Sequence, residues 1–319
     1  MQGDAMASTE PPRAAKPSSS RWRVAVALLA CGAAVSCHRR PTGTMPTNSS
    51  SRPAHRSATA AHHAFRPFYF IHAADPHLGI TKGNTRRFAE LARQANALKP
   101  AFVFVAGDLV FRPKGKNFAL LDEALEAFEV PVRMIPGNHD VDRHETLDLW
   151  RRRYGKDHYT FTHHNCEFIC LNSQLLHRRT RHYKTHDARF EIEVAAQWAW
   201  LERAFARARS AKREHIIVCL HNPPFTKRPT ERRKYTNMYP EPRRRLLALV
   251  RRYGVRVLLA GHIHRTREIR THDFTIYTVG GTWSPTDLRG YGYRVFKVEK
   301  DRIRQTYVRL DRPLEALGF

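Results

Sequence analysis

Nine side chains able to bind a metal or move a proton recur at one kind of place in this chain. They are Asp75 and His77 in "ADPH", Asp108 in "AGDL", Asn138, His139 and Asp140 in "GNHD", His221 in "LHNP", and His262 and His264 in "GHIH". Each group follows a short apolar run. Taken alone, any one of them reads as a strand-to-loop turn, because Pro, Gly, Asn and Asp favour turns for their own steric reasons. Five such groups, all at the carboxyl ends of apolar runs, instead mark the edge where open α/β sheets bind ligands. Imidazole and carboxylate without thiolate suit Mn, Fe or Zn. A carboxylate can bridge two cations, and two metals about 3.5–4 Å apart clamp the attacking and leaving oxygens of an in-line displacement at phosphorus. Water bound to such metals loses a proton near neutral pH and becomes a nucleophile. Gly107, Gly137 and Gly261 precede the polar residues, where a sharp backbone turn is needed.

Strands and helices have to alternate to present these groups. "FYFIHAAD", "AFVFVAGD", "VPVRMIPGNHD", "EFICLNS", "HIIVCLHNPP" and "VRVLLAGHIH" read as strands, most of them continuously apolar, as in sheets covered on both faces. Between them lie helical patterns. One runs through "TRRFAELARQANALK", with Asn84 as its expected cap, followed by "NFALLDEALEAFE", "AAQWAWLERAFARA" and "EPRRRLLALVRRYG". "FTIYTVGG", "YRVFKVE" and "RIRQTYVRL" close the chain as strands. The expected fold is an α/β layered sandwich with helices outside and an antiparallel portion near the C-terminus.

The chain has 319 residues, and its 55 Lys+Arg against 29 Asp+Glu leave a formal charge of +26. That charge is spread over nearly every segment. It reads either as a solvated basic surface or as a field attracting anionic substrates, nucleic acid or lipid headgroups. Residues 1–37 carry a basic stretch (Lys16, Arg21, Arg23) before the apolar run "VAVALLACGAAVSC", which is short for a bilayer span but has the length of a secretory signal core. Small residues precede Cys31 and Cys37, resembling the lipobox of bacterial lipoproteins. The expectation is export to the periplasm or cell envelope, with a lipid anchor or an uncleaved membrane segment as further options. Residues 38–64 read as a flexible linker, in which His55, His62 and His63 are tether residues. Cys166, Cys170 and Cys219 fall in or beside apolar runs and read as buried thiols.

The five blocks in order, D-x-H, G-D, G-N-H-D, a lone His after a strand and G-H-x-H, resemble the calcineurin-like metallophosphoesterase superfamily over about residues 68–309. The resemblance implies a layered αββα sandwich of mixed β-sheets over residues 65–319. It also implies a dinuclear centre of divalent or mixed-valence Mn, Fe or Zn, hydrolysing phosphomonoesters or phosphodiesters. It would assign Asp75, His77 and His264 to one metal, Asn138, His221 and His262 to the second, and Asp108 to the bridge. His139 would contact phosphate and protonate the leaving oxygen, and Asp140 would orient it. Phe111 stands where purple acid phosphatases have a ligand Tyr, and "GDLVFRP" matches the Ser/Thr phosphatase "GDxVDRG" at Val110 and Arg112 but not at Phe111 and Pro113. Arg112 is either a phosphate contact or a solvated loop residue. The wider pattern is most similar to small single-domain members, among them a cytosolic protein phosphatase branch.

The substrate implied is a phosphorylated small molecule or a phosphoprotein. An extracellular nuclease of the same superfamily is the alternative that the basic field favours, and a non-catalytic cell-surface binding protein is the third. The basic segment "HNPPFTKRPTERRKYTNMYPEPRRR" is either a substrate-facing loop or a solvated insertion.

Overall fold

A computed structural model describes residues 65–176, 188–282 and 284–312. The signal, lipobox and linker expectations for residues 1–64 lie outside the described residues. The elements run β1 (Phe68–Ala73), α1 (Lys82–Leu98), β2 (Val103–Ala106), α2 (Gly115–Glu126), β3 (Val132–Ile135), α3 (His144–Tyr154), β4 (Tyr159–His163) and β5 (Cys166–Cys170). They continue as α4 (Ser173–Leu176), α5 (Ala188–Ser210), β6 (His215–Cys219), α6 (Pro240–Arg252), β7 (Val257–Ala260), β8 (Arg267–Arg270), β9 (Thr275–Thr278), β10 (Gly292–Val298) and β11 (Ile303–Arg309).

Two mixed sheets form. One has the order β11-β10-β1-β2-β3 and the other β4-β5-β6-β7-β9-β8. Their centres are parallel, β1 with β2, β2 with β3, and β5 through β6 and β7 to β9, while β10, β11, β4 and β8 pair antiparallel. Alternation of side chains on β1 explains the layering. Phe68 and Phe70 join Phe102, Phe104, Phe168, Ile217, Leu259 and Phe296 in a core drawn from both sheets, whereas Ile71 and Ala73 share a second core with residues of every long helix. Phe70 stacks on Phe102 and Phe296 and meets Phe168 edge-on, at centroid distances of 5.2, 4.9 and 5.4 Å. The result is sheet on sheet with helices outside. Cys166, Cys170 and Cys219 are buried free thiols.

Thr81, not Asn84, caps α1. The Thr81 hydroxyl accepts the Asn84 N–H at 3.4 Å, and the buried Asn84 amide instead donates to the carbonyls of Pro76 and His77 at 3.1 and 3.3 Å. The residue expected to start a helix therefore holds the loop after β1.

Candidate metal centre

The loops after β1, β2, β3, β6 and β7 meet at one end of the sandwich. Asp75, His77, Asp108, His262 and His264 all have φ between 47° and 69°, and they make up five of the nine non-glycine residues with positive φ among the described residues. Left-handed backbone at non-glycine residues costs of order 1–3 kcal/mol each and persists only where the surroundings impose it. Here the imposition is visible. Asp75 N–H donates to Gly107 O, His77 N–H to Asp108 O, and Gly261 N–H to His221 O, at 2.9–3.0 Å. The glycines serve two purposes. Gly107 adopts φ +83°, and a Cβ there would also meet His221 Nδ1 at 2.6 Å; Gly261 has no unusual φ, but a Cβ would lie 2.7 Å from that of Ala74.

Two ligand groups share one residue. The donor atoms of Asp75, His77, Asp108 and His264 lie within 4.8 Å of one another, as do those of Asp108, His221 and His262. Asp108 Oδ1 accepts the backbone N–H of His139 at 2.8 Å. Its Oδ2 lies 3.5 Å from His77 Nε2 and 3.3 Å from His221 Nε2, facing both groups. The backbone N–H of His262 meets both Asp75 oxygens at 3.0 and 3.1 Å, so the second group is stitched to the first. Asn138 joins through Oδ1, 3.2 Å from His221 Nε2. All seven expected ligands are thus brought together.

The tautomers follow from the partners. His221 Nδ1 donates to Ala106 O at 2.7 Å, His262 Nε2 to Tyr235 O at 2.9 Å, His264 Nδ1 to Ser284 O at 3.3 Å and His139 Nδ1 to Phe111 O at 2.6 Å. A carbonyl oxygen only accepts, so each of those nitrogens carries the hydrogen and the other nitrogen of the neutral ring is a lone pair. For His221 that lone pair, on Nε2, faces only the acceptors Asp108 Oδ2 and Asn138 Oδ1. A positive charge fits where these acceptors converge, either a proton on Nε2 or a metal ion, and imidazole with carboxylate and amide oxygen is a donor set for Mn, Fe or Zn. The residues present fit a metal pair.

The charge states agree. Burial opposes protonation of His221, but the Asp108 carboxylate, Asp75 and the Ala106 carbonyl override it and raise its pKa to about 9; a proton occupies that point when no metal does. His77 is lowered to about 3 by burial and by its histidine neighbours, against Asp108, which keeps it neutral and fit for ligation. Against burial, His221, His77 and His139 hold Asp108 well below the usual carboxylate range. Burial and the Asp108 charge raise Asp75 to about 6, against the pull of His264 and His221.

Asp140 is fully buried, its carboxylate turned to backbone donors. It accepts the N–H groups of Leu109, Val110 and Gly137 at 3.1, 2.9 and 2.8 Å, while burial and Asp108 raise it to about 7. His139 stands beside the first group, its ring 4.6 Å from that of His77 and stacked on Phe111 at 5.5 Å. Phe111 therefore braces His139. A cleft of about 440 Å³ opens there, lined by Phe111, Arg112, Lys114, Asn138, His139, Arg143 and Tyr235. A larger groove of about 790 Å³, lined by Arg209, Lys212, Arg256 and Lys300, contains none of the ligand residues. Tyr235 went unmarked in the sequence, because only the fold carries it from the β6–α6 segment to His262.

The calcineurin-like phosphoesterase family matches residues 68–266 of this chain. Serine/threonine-protein phosphatase CPPED1 of Rattus norvegicus is 28% identical over 313 residues, covering 89% of this chain and 95% of the relative. Its Homo sapiens counterpart is 28% identical over 273 residues, covering 77% and 84%. Two solved structures share the fold. GAP50, the anchor in the inner membrane complex of Plasmodium, has a TM-score of 0.59 at 15% identity over 77% of this chain and 85% of its own. A dimetal phosphatase from Danio rerio has a TM-score of 0.55 at 14% identity over 75% and 95%. With the family match spanning most of the chain and the Asp/His centre at the strand ends, this chain belongs to the calcineurin-like phosphoesterase family of metal-dependent hydrolases.

Proposed function

We propose that the chain is a phosphomonoesterase in which Asp75, His77 and His264 hold one metal, Asn138, His221 and His262 the other, and Asp108 both. Asp108 Oδ2 carries this reading, since it lies 3.5 Å from His77 Nε2 of one group and 3.3 Å from His221 Nε2 of the other. The donor set admits Mn, Fe or Zn. When bound, the pair supplies a water of lowered pKa and positive charge against the phosphoryl oxygens.

The protein's own part is positioning and proton handling. The backbone N–H of His139 pins Asp108 Oδ1, which leaves Oδ2 turned to the centre. The Nδ1–H bond to Phe111 O fixes the His139 ring, so that Nε2 is the nitrogen presented to the cleft. In the imidazolium form that nitrogen carries the proton the leaving oxygen needs. Asp140 ties the β2 and β3 loops together through three backbone donors, keeping Asp108 and His139 in mutual reach. Arg112 and Lys114 line the cleft with positive charge suited to a phosphorylated substrate, while Arg143 is paired there with Asp142 at 3.4 Å. The name of the CPPED1 relatives, serine/threonine-protein phosphatase, supports a phosphoprotein within that class.

A panel of phosphomonoesters, phosphodiesters, phosphopeptides and nucleic acid, run with manganese, tests this. Hydrolysis of aryl phosphate and phosphopeptide, absent in Asp108→Asn, is expected; undiminished hydrolysis in that variant would sink the proposal.

We also propose export to the cell envelope, supported by the basic-then-apolar stretch before Cys37. Fractionation of cells expressing the full chain and Cys37→Ser tests it, and soluble cytoplasmic protein in both cases would count against it.

A further inference from the structure

Tyr235 stands at the mouth of the centre on a segment that is fastened at many points. Between β6 and α6, one Glu231 carboxylate accepts the N–H of Thr226, Lys227 and Arg228, the Thr226 hydroxyl and the Asn237 amide, at 2.5–3.4 Å. From α6, the buried Arg243 guanidinium donates to the carbonyls of Pro229, Glu231 and Met238 at 2.6–2.9 Å. Buried Asn237 closes the tip, accepting the Lys234 N–H at 2.8 Å and donating to Arg232 O at 3.1 Å. A polar excursion on a protein surface does not need so many fixed points merely to be solvated.

What this mount presents is an aromatic ring. Tyr235 is 64% exposed, yet its carbonyl accepts the His262 Nε2–H at 2.9 Å, its ring lies 4.8 Å from that of His262, and its hydroxyl accepts from Asn138 Nδ2 at 3.4 Å. The same ring and His139 line one cleft. A Tyr held rigid at a cleft mouth offers a large contact area at little entropic cost, which is how aromatic anchors gain binding energy.

We propose that Tyr235 is a specificity-determining residue whose ring packs against the leaving group, selecting phosphomonoesters with aromatic or bulky apolar leaving groups over those of small alcohols. This rests on the reading of the centre given above. The phosphoryl group lies at the metal ligands, the leaving oxygen meets His139, and the organic body beyond that oxygen lies against the wall that Tyr235 forms. Glu231 and Arg243 are positioning residues for that wall.

Calorimetric binding of phenylphosphonate and methylphosphonate to the manganese-loaded full chain tests the assignment without turnover. In Tyr235→Ala the preference for phenylphosphonate over methylphosphonate should fall about five- to tenfold, the scale of a lost aromatic contact. Tyr235→Phe should keep that preference, since the ring and not the hydroxyl supplies it. The ratio of kcat/KM for phenyl phosphate to that for glycerol phosphate should fall in parallel. An unchanged ratio in Tyr235→Ala overturns the proposal and leaves the metal centre standing, as does an equal weakening of both ligands, which would assign Tyr235 to support of His262. A wild-type chain that binds neither metal nor phosphonate overturns the reading of the centre and the role of Tyr235 with it.

Discussion

The carboxylate of Asp140 accepts the backbone N–H of Val110 at 2.9 Å, fastening the loop after β3 to the loop after β2. The same carboxylate takes the Leu109 and Gly137 N–H groups, so three donors converge on one buried acceptor. Asp140→Ala leaves those donors unpaired and frees the peptide that carries Asp108. Loss of such a supporting partner lowers activity or metal affinity about 10–100-fold. Asp140→Asn should fall almost as far, because its amide turns a donor toward donors. Metal titration with kcat measured in parallel checks both variants; wild-type behaviour in Asp140→Ala would refute the fastening role.

Gly107→Ala should be among the most damaging single-methyl additions in the domain. Positive φ and a Cβ placed 2.6 Å from His221 Nδ1 act together. Overpacking of this kind costs about 1–3 kcal/mol before the strained backbone is counted. A lowered Tm with reduced metal occupancy is the expected outcome, and thermal unfolding with and without manganese measures it. An alanine variant as stable and as fully loaded as wild type would contradict it.

His139→Ala should keep both metals and lose turnover. Its ring packs edge-on 4.6 Å from that of His77, but the backbone N–H that pins Asp108 survives the substitution, whereas loss of a general acid costs about 10²–10⁴ in rate. The loss should be larger for alkyl than for aryl phosphates, whose leaving oxygens need less help from a proton. Equal losses for the two would argue against proton donation.

Acid stability should depend on Asp157. This buried carboxylate accepts from Arg151 Nε at 2.7 Å and Asn172 Nδ2 at 2.9 Å and pairs with His158 at 3.2 Å. Burial opposes its ionisation, but His158 and Arg151 outweigh it and hold its pKa well below the usual 3.8. A depressed folded-state pKa means stability that is fully present above pH 3.8 and is lost as the pH falls through the lower folded value. Asp157→Ala should lose about 2–3 kcal/mol at neutral pH, the scale of hydrogen bonds to a charged group. Its unfolding free energy should also fall less steeply than that of wild type below pH 4. Denaturant unfolding across pH 2–7 checks this, and parallel curves would speak against the assignment.

The strand-end placement and order of the polar residues could be read from the sequence because parallel strands buried on both faces are continuously apolar. Where the apolar run stops, the ligand-bearing loop begins. β4, "YTFTH", and β8, "REIR", escaped that reading. They are the outer strands of the six-stranded sheet, half-buried or charged, and they lack the continuous apolar signature. The cap of α1 lies three residues before Asn84 because the Asn84 side chain is taken by Pro76 and His77, a tertiary demand that local capping rules do not contain. The histidine tautomers and the place of Tyr235 were equally hidden. Each tautomer is set by a carbonyl oxygen distant in sequence, as with His221 and Ala106, and Tyr235 reaches His262 through the fold alone.

Metal content of the purified full chain, reconstituted with manganese and read by elemental mass spectrometry alongside aryl phosphate hydrolysis, tests the central claim most directly. Two ions per chain in the wild type are expected, with loss of bound metal and of hydrolysis together in Asp108→Asn. An active wild type without metal, or an Asp108→Asn chain holding both ions at undiminished turnover, would contradict the shared carboxylate on which the account stands.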